Sequence, residues 1–187
     1  IAELIRNGRS EHDPFRADLL TAAENIGRKY SLDTAHAAGV ADMALRIFDK
    51  LKRRYGLTAR HRLDLEVACM LHDVGRFIDP RQHHKHSLYL ISNAQLPGIS
   101  DQERLVIAMT ARYHRKSGPR SSHPEFVALG PEEKVAVLKL AAILRVADAL
   151  QSSGGERLEG LKISLRNDEL VLRVSGPVDI DWEKVCL

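Results

Sequence analysis

Four histidines and two aspartates lie within residues 71 to 87, the stretch of this sequence richest in groups that can bind an ion. His72 and Asp73 are adjacent there and follow an apolar segment. One imidazole nitrogen and one carboxylate can therefore reach the same ion. Gly75 follows the pair and lets the backbone turn close to a bound group. This stretch is the predicted centre of a site.

Two further ionisable residues fall on helical faces that are otherwise apolar. His36 shares a predicted face with Val40, and Asp148 ends a stripe that contains Leu144. A buried carboxylate is costly unless it is paired or bound to a metal, and Arg145 is the alternative partner for Asp148. A single inward histidine is more often a hydrogen-bonded core residue than a ligand. His36 and Asp148 are therefore predicted to be ligands only in combination with the His-Asp pair.

Together these residues predict a mixed nitrogen and oxygen site in which His36, His72, Asp73 and Asp148 bind a divalent metal. Such a donor set suits Mn, Fe, Mg or a catalytic Zn better than a structural zinc. A metal there would clamp a phosphoryl oxygen and lower the pKa of a bound water for in-line attack, with Asp73 as the residue that activates the water. The predicted chemistry is phosphate hydrolysis with one or two ions.

Four other histidines are near this site in the sequence or in the predicted helices. His86 and His114 are further candidate ligands at the ends of short predicted helices. If both bind, a second metal bridged by Asp73 is expected. The alternatives for both are direct phosphate binding and simple solvation. His83 and His84 are interpreted as neighbours of the site rather than ligands.

Seven cations flank the candidate ligands in the sequence, and we predict that they bind substrate phosphate: Arg76, Arg81, Lys85, Arg112, Arg115, Lys116 and Arg120. Guanidinium groups match the geometry of phosphate oxygens. The alternative is a solvated basic surface. A nucleic-acid groove is disfavoured, because Tyr113 is the only aromatic residue among the cations of residues 112 to 120 that could stack on a base.

The composition is that of a soluble globular protein, with 187 residues, 44% hydrophobic and 28% charged, and a net charge of +3. Cys69 and Cys186 are far apart, so neither a disulfide framework nor a zinc ribbon is predicted. No apolar run is long enough for a membrane span, and the first residues lack the order of a signal peptide. These features predict a cytoplasmic protein without a membrane partner.

The apolar periodicity and the capping signals predict a mainly α fold, a bundle of about six to seven helices. The segments are roughly residues 14 to 30, 33 to 56, 60 to 72, 84 to 93, 100 to 114 and 131 to 148, and the second is opened by Ser31 and Asp33 and closed by Gly56. Asp13 and Ser100 are expected N-caps, and Ser100 has capping-box spacing to Glu103. Residues 115 to 124 have the composition of a loop.

Beyond residue 155 the pattern alternates and predicts a small β-hairpin with a turn at Asn167-Asp168. The expected cross-strand pairs are Leu165 with Leu170, Ile163 with Leu172, and Leu161 with Val174. The apolar face of such a hairpin must cover something. We therefore expect a helical domain over residues 1–150 and a hairpin appendage over 151–187 packed on it, with a further helix beginning near 181–183.

Taken in order, His36, His72, Asp73 and Asp148 resemble the ligand pattern of the HD superfamily of metal-dependent phosphohydrolases: a histidine, then His-Asp, then a distal aspartate. The resemblance implies an HD-like helical bundle. HD enzymes commonly carry lysine after the glycine, and Arg76 stands in that position here. The charge is kept, but the geometry of a phosphate contact changes.

Four segments, residues 71–78, 83–91, 111–116 and 144–150, resemble the C-terminal HD-like domain of the exopolyphosphatase and guanosine-pentaphosphate phosphatase family. The resemblance runs from about Phe15 to Val174. In that family the phosphatase chemistry belongs to N-terminal actin-like domains, of which this sequence shows no segment. The C-terminal domain is thought to bind polyphosphate and to build a dimer. The chain is thus expected to be that domain in isolation or a free-standing relative.

Two functions follow. The first is a metal-dependent phosphohydrolase acting on polyphosphate or a nucleotide. The second is a non-catalytic polyphosphate-binding and dimerisation module that works as a homodimer beside actin-like phosphatase domains. RNA binding through residues 112 to 120 is a lesser alternative.

Overall fold

The computed structural model describes residues 14–152, 161–167 and 169–173. Over these residues the protein is mainly helical and carries a small C-terminal hairpin, which confirms the predicted fold class. The helices are α1 (Pro14–Lys29), α2 (Thr34–Leu51), α3 (Ala59–Leu71), α4 (His83–Ser92), α5 (Asp101–Arg112), α6 (Pro124–Val127) and α7 (Pro131–Ser152), with a 3-10 helix at Val74–Phe77. The strands are β1 (Lys162–Arg166) and β2 (Glu169–Arg173).

Four helices enclose the core. Helices α2, α3, α5 and α7 each pack against at least two of the others. Their inward faces bury Val40, Leu65, Ile107 and Leu144 completely. Helix α1 lies on α3, and α4 lies on α5 and on the 3-10 helix. No helix in the described ranges combines the length and the apolar character that a membrane crossing requires.

Local capping signals set several helix starts. The Asp33 side chain accepts a hydrogen bond from the His36 backbone N–H at 3.0 Å, which begins α2. Ser100 and Glu103 form the predicted capping box at the start of α5. The expected cap at Asp13 lies outside the described residues, as does the helix expected near 181–183.

The hairpin has the predicted register. Ile163 pairs with Leu172 and Leu165 with Leu170 in an antiparallel ladder. The third expected pair includes Val174, which lies outside the described residues. The apolar side of the hairpin packs on the helical core, and the Arg46 guanidinium on α2 donates to the Leu161 carbonyl at 2.8 Å.

Two short elements differ from the sequence expectation. Helix α6 begins at Pro124, the last residue of the predicted loop, and a 3-10 helix joins α3 to α4. The sequence pattern predicts neither element. Gly75 in this 3-10 helix approaches α4 so closely that a Cβ would clash with the His83 carbonyl and the Ser87 amide. The expected close approach at Gly75 is therefore to the protein's own backbone.

Candidate metal centre

The ends of five helices bring six ionisable side chains together. His36 lies in the first turn of α2, and His72 and Asp73 follow the end of α3. His83 begins α4, His114 follows α5, and Asp148 lies in the last turns of α7. Five of the six are buried, and His36 is half-buried. All four residues predicted as the main metal ligands belong to this cluster.

One carboxylate oxygen of Asp73 faces three histidines. Oδ1 lies 3.0 Å from Nε2 of His83, 3.7 Å from Nε2 of His114 and 3.9 Å from Nε2 of His72. Its second oxygen lies 3.3 Å from Nη1 of Arg76, an exposed residue at the edge of the cluster. Asp73 therefore contacts three of the other five members of the cluster.

Asp148 joins the cluster from the opposite side. Its Oδ1 lies 3.2 Å from Nε2 of His36 and 3.7 Å from Nε2 of His72. The alternative partner, Arg145, directs its guanidinium to the carbonyl oxygens of Tyr113 at 3.0 Å and Lys116 at 2.9 Å. Arg145 thus holds the segment after α5, which carries His114.

Backbone contacts fix the orientation of three imidazoles. In each ring Nδ1 lies at hydrogen-bond distance from a carbonyl oxygen three residues earlier: 2.7 Å for His72 to Cys69, 2.8 Å for His83 to Pro80 and 2.6 Å for His114 to Ala111. A carbonyl oxygen only accepts, so Nδ1 carries the hydrogen. In the neutral ring the lone pair of Nε2 then points into the cluster, which is the arrangement of a metal-binding histidine.

The donor set fits a divalent metal. Nε2 of His72 is buried and has no hydrogen-bond partner among the described residues. Two groups of three side chains offer ligand atoms within 4.8 Å of one another: His36, His72 and Asp148, and His72, Asp73 and His114. Metal–ligand bonds of about 2.1 Å place two ligands of one ion roughly 3.0 to 3.5 Å apart, close to the shorter distances observed. His72 is common to both groups.

Electrostatics favour positive charge in the cluster. Burial opposes ionisation of Asp73, but the hydrogen bond from His83 and the positive charge of His72 outweigh it, so the pKa of Asp73 lies well below its usual range. Burial likewise opposes ionisation of Asp148, yet contacts with His36 and His72 hold its pKa well below the usual range. Both carboxylates are therefore ionised at neutral pH.

The pKa values of two of the histidines are shifted in opposite directions. Burial lowers the pKa of His72, but the carboxylates of Asp148 and Asp73 outweigh this effect and raise it above the ordinary value. Burial and the charge of His72 lower the pKa of His114 to about 3. A proton is thus held more tightly by His72 than by an ordinary imidazole, while His114 is neutral at pH 7.

An open pocket of about 700 Å³ gives access to the cluster. Of the seven cations predicted to bind phosphate, Arg76 and Arg115 line this pocket. The Nε atom of Arg115 is buried and has no hydrogen-bond partner in the described part of the chain. The other five lie outside the residues that line the pocket: Arg81, Lys85, Arg112, Lys116 and Arg120. An anion at the cluster would therefore meet two guanidinium groups first.

The outer histidines are placed differently from expectation. His83, interpreted from sequence as a neighbour, is buried in contact with Asp73 and His114. His84 is buried beside it, and burial together with the nearby charge of Arg112 lowers its pKa to about 3. His86, a candidate ligand, belongs to neither metal-capable group of described residues. Nothing in the spacing of His83, His84 and His86 distinguishes them, because only the packing of α4 decides which ring points inward.

The fold and the cluster define a helical domain with a buried histidine–aspartate centre able to hold a divalent cation. The chain belongs to the family described as Ppx/GppA phosphatase, domain III, whose model matches residues 20–185. A guanosine-5'-triphosphate,3'-diphosphate pyrophosphatase of Pseudoalteromonas translucida (strain TAC 125) is 29% identical over 158 residues, which cover 83% of this chain. The chain spans 30% of the length of that relative.

Proposed function

We propose that this chain is a metal-dependent phosphohydrolase domain of the HD type, acting on a phosphate-rich anion such as polyphosphate or a nucleotide. The observation that carries the proposal is the convergence of two carboxylates on the buried Nε2 of His72, which lacks a hydrogen-bond partner among the described residues. A buried polar atom without a partner is costly, and a metal ion removes that cost.

The proposed ligands of the ion are His36, His72, Asp73 and Asp148, with His83 and His114 as further candidates through their contacts with Asp73. When bound, the ion supplies a Lewis acid that polarises a phosphoryl oxygen and makes water a stronger nucleophile. Mixed nitrogen and oxygen donors suit Mn, Mg, Fe or Zn, as one ion or two.

Asp73 is the proposed catalytic residue. Because its pKa lies well below the usual range, its carboxylate is ionised and is a poor proton acceptor. Its contribution is then to accept a hydrogen bond from the attacking water and to orient that water toward phosphorus. The Arg76 contact at 3.3 Å fixes the second carboxylate oxygen and limits rotation of the group.

Arg76 and Arg115 are the proposed phosphate-binding residues of the pocket. The Arg76 side chain is 57% exposed, so it can leave Asp73 to meet an anion. Arg115 has a buried Nε donor without a partner in the described ranges, and a phosphate oxygen would satisfy it. Arg81, Lys85, Arg112, Lys116 and Arg120 are proposed to attract the anion from outside the pocket.

A non-catalytic polyphosphate-binding and dimerisation module is the second candidate function. It is favoured by the chain's match to 30% of the length of its relative, which leaves room there for other domains. The predicted homodimer and the actin-like partner domains belong to this candidate. In such a module, the cations outside the pocket bind the polyanion and the buried cluster stabilises the fold.

One experiment separates the two candidates. Metal content is measured by mass spectrometry after dialysis against Mn, and phosphate release is followed with polyphosphate and with nucleotides. Asp73→Ala is compared with Asp18→Ala, which removes an exposed carboxylate on α1. We expect the native protein and Asp18→Ala to bind stoichiometric metal and to release phosphate, and we expect Asp73→Ala to release none.

Absence of bound metal and of phosphate release with every substrate would disprove the phosphohydrolase. Salt-sensitive polyphosphate binding that survives Asp73→Ala would then support the module.

A further inference from the structure

Two aromatic side chains line the pocket that leads to the metal centre. Tyr30 and Phe77 both line the pocket, with ring centroids 5.6 Å apart and ring planes at 67°. Phe77 is 62% exposed, although burying an aromatic ring is favourable. The pocket therefore presents an apolar ring surface that nothing among the described residues covers.

Two short segments join this aromatic pair to the metal centre. One runs from Tyr30 to His36, and the Asp33 side chain within it caps the helix that carries His36. The other runs from Asp73 to Phe77 through the 3-10 helix, a rise of about 8 Å over four residues. The rings and the ligand residues thus line one pocket, and Arg76 lies between Asp73 and Phe77 in the sequence.

A linear polyphosphate has no apolar surface and would leave these aromatic rings unused. A nucleotide has a phosphate for the metal centre and a planar base for the aromatic rings. The volume of about 700 Å³ lies within the ordinary range for pockets that enclose small ligands. Gln151 lines the same pocket, and its amide offers both donors and acceptors to the edge of a base.

We propose that the substrate of this site is a nucleotide whose base is bound by Tyr30 and Phe77. This inference rests on the proposed phosphohydrolase function and names its substrate class. Phe77 supplies the exposed ring face on which the base stacks, and Tyr30 holds Phe77 by its edge-on contact. Stacking of a base on an aromatic side chain contributes roughly a factor of 10 or more to binding.

The test compares phosphate esters that share a phosphate and differ in the ring. A nucleoside 5'-monophosphate, ribose 5-phosphate and tripolyphosphate are assayed with the native protein, Phe77→Ala and Tyr89→Ala. Tyr89 is a matched control, because it is 66% exposed on α4 and does not line the pocket. We expect the ratio of kcat/KM for the nucleotide to that for ribose 5-phosphate to fall about tenfold in Phe77→Ala. The ratio in Tyr89→Ala should equal that of the native protein.

Binding of the nucleoside without phosphate gives a readout that does not need activity. Saturation-transfer NMR is expected to show contact between the base and the native protein, and loss of that contact in Phe77→Ala. Equal efficiency on all three substrates, or a Phe77→Ala effect that is the same for each, would overturn the inference and leave the phosphohydrolase function standing. If no substrate releases phosphate, that function fails. The NMR experiment then still decides whether the ring site exists, and no nucleoside signal in the native protein would overturn it.

Discussion

Nε2 of His83 lies 3.1 Å from Nε2 of His114, although each ring already donates its Nδ1 hydrogen to a backbone carbonyl. Two neutral imidazoles in this arrangement direct lone pairs at each other, which is unfavourable unless a proton or a metal cation lies beside them. Oδ1 of Asp73, 3.0 Å from His83, is placed to share that cation. His83 is therefore a stronger ligand candidate than its place in the sequence indicates.

Replacing His83 tests this relationship. We expect His83→Ala to weaken Mn binding at least tenfold, because a ligand or an immediate partner of a ligand is removed. His86→Ala is the matched control on the same helix, since His86 is only partly buried and is not one of the six side chains of the cluster. Isothermal titration calorimetry measures both affinities. Equal affinities of the two variants would show that His83 is a structural neighbour only.

Sequence patterns predicted those parts of the fold and site that local chemistry controls. Asp33 and Ser100 were recognisable as caps, because their side chains satisfy backbone groups three residues away. Asp148 was recognisable because a carboxylate on an apolar stripe needs a partner. These signals depend on neighbours within a few positions of the chain.

The remainder depends on packing that the sequence does not encode locally. The capping box at Thr58 uses His61 in place of the usual Glu or Gln, so its pattern is not recognisable. Helix α6 has four residues and is too short to show a period. His83 enters the cluster because Gly75 allows α4 to approach the end of α3, a contact between segments that are separate in sequence.

Arg145 is expected to support the metal centre from outside it. Its guanidinium donates to the carbonyls of Tyr113 and Lys116, which bracket His114 and Arg115. In Arg145→Met these two acceptors, one buried and one partly buried, lose a charged donor, at a cost of about 2 kcal/mol in the free energy of unfolding. Because His114 moves with the segment, metal affinity should fall as well.

Arg46→Met is the matched control for this prediction. Arg46 also donates to a backbone carbonyl, that of Leu161 at 2.8 Å, but on the hairpin side of α2. Urea unfolding and calorimetry should show a loss of stability in both variants and a loss of metal affinity in Arg145→Met alone. Native metal affinity in Arg145→Met would mean that the segment after α5 keeps its position without the guanidinium.

Asp64 on α3 gives the native state a pH dependence that is separate from the metal centre. Its carboxyl is buried, 3.1 Å from Nε of Arg60, which in turn contacts Glu103 at 3.1 Å. Burial raises the pKa of Asp64 to about 7 from an ordinary value of 3.8, although the charge of Arg60 opposes the shift. Between these two pH values the native state binds more protons at this group than the unfolded chain does.

Stability contributed by Asp64 is therefore complete below about pH 4 and is lost as the pH rises through about 7. The side chain of Asp64→Asn cannot ionise. Between about pH 4 and 7 we therefore expect its free energy of unfolding to fall less steeply than that of the native protein, by on the order of 1 kcal/mol per pH unit. Urea unfolding at pH 5, 6, 7 and 8 measures the slope, with the exposed Asp18→Asn as control. Every other ionisable group is shared by the native protein and Asp64→Asn, so the difference between the slopes of these two proteins isolates Asp64. Identical slopes would mean that Arg60 keeps Asp64 ionised throughout.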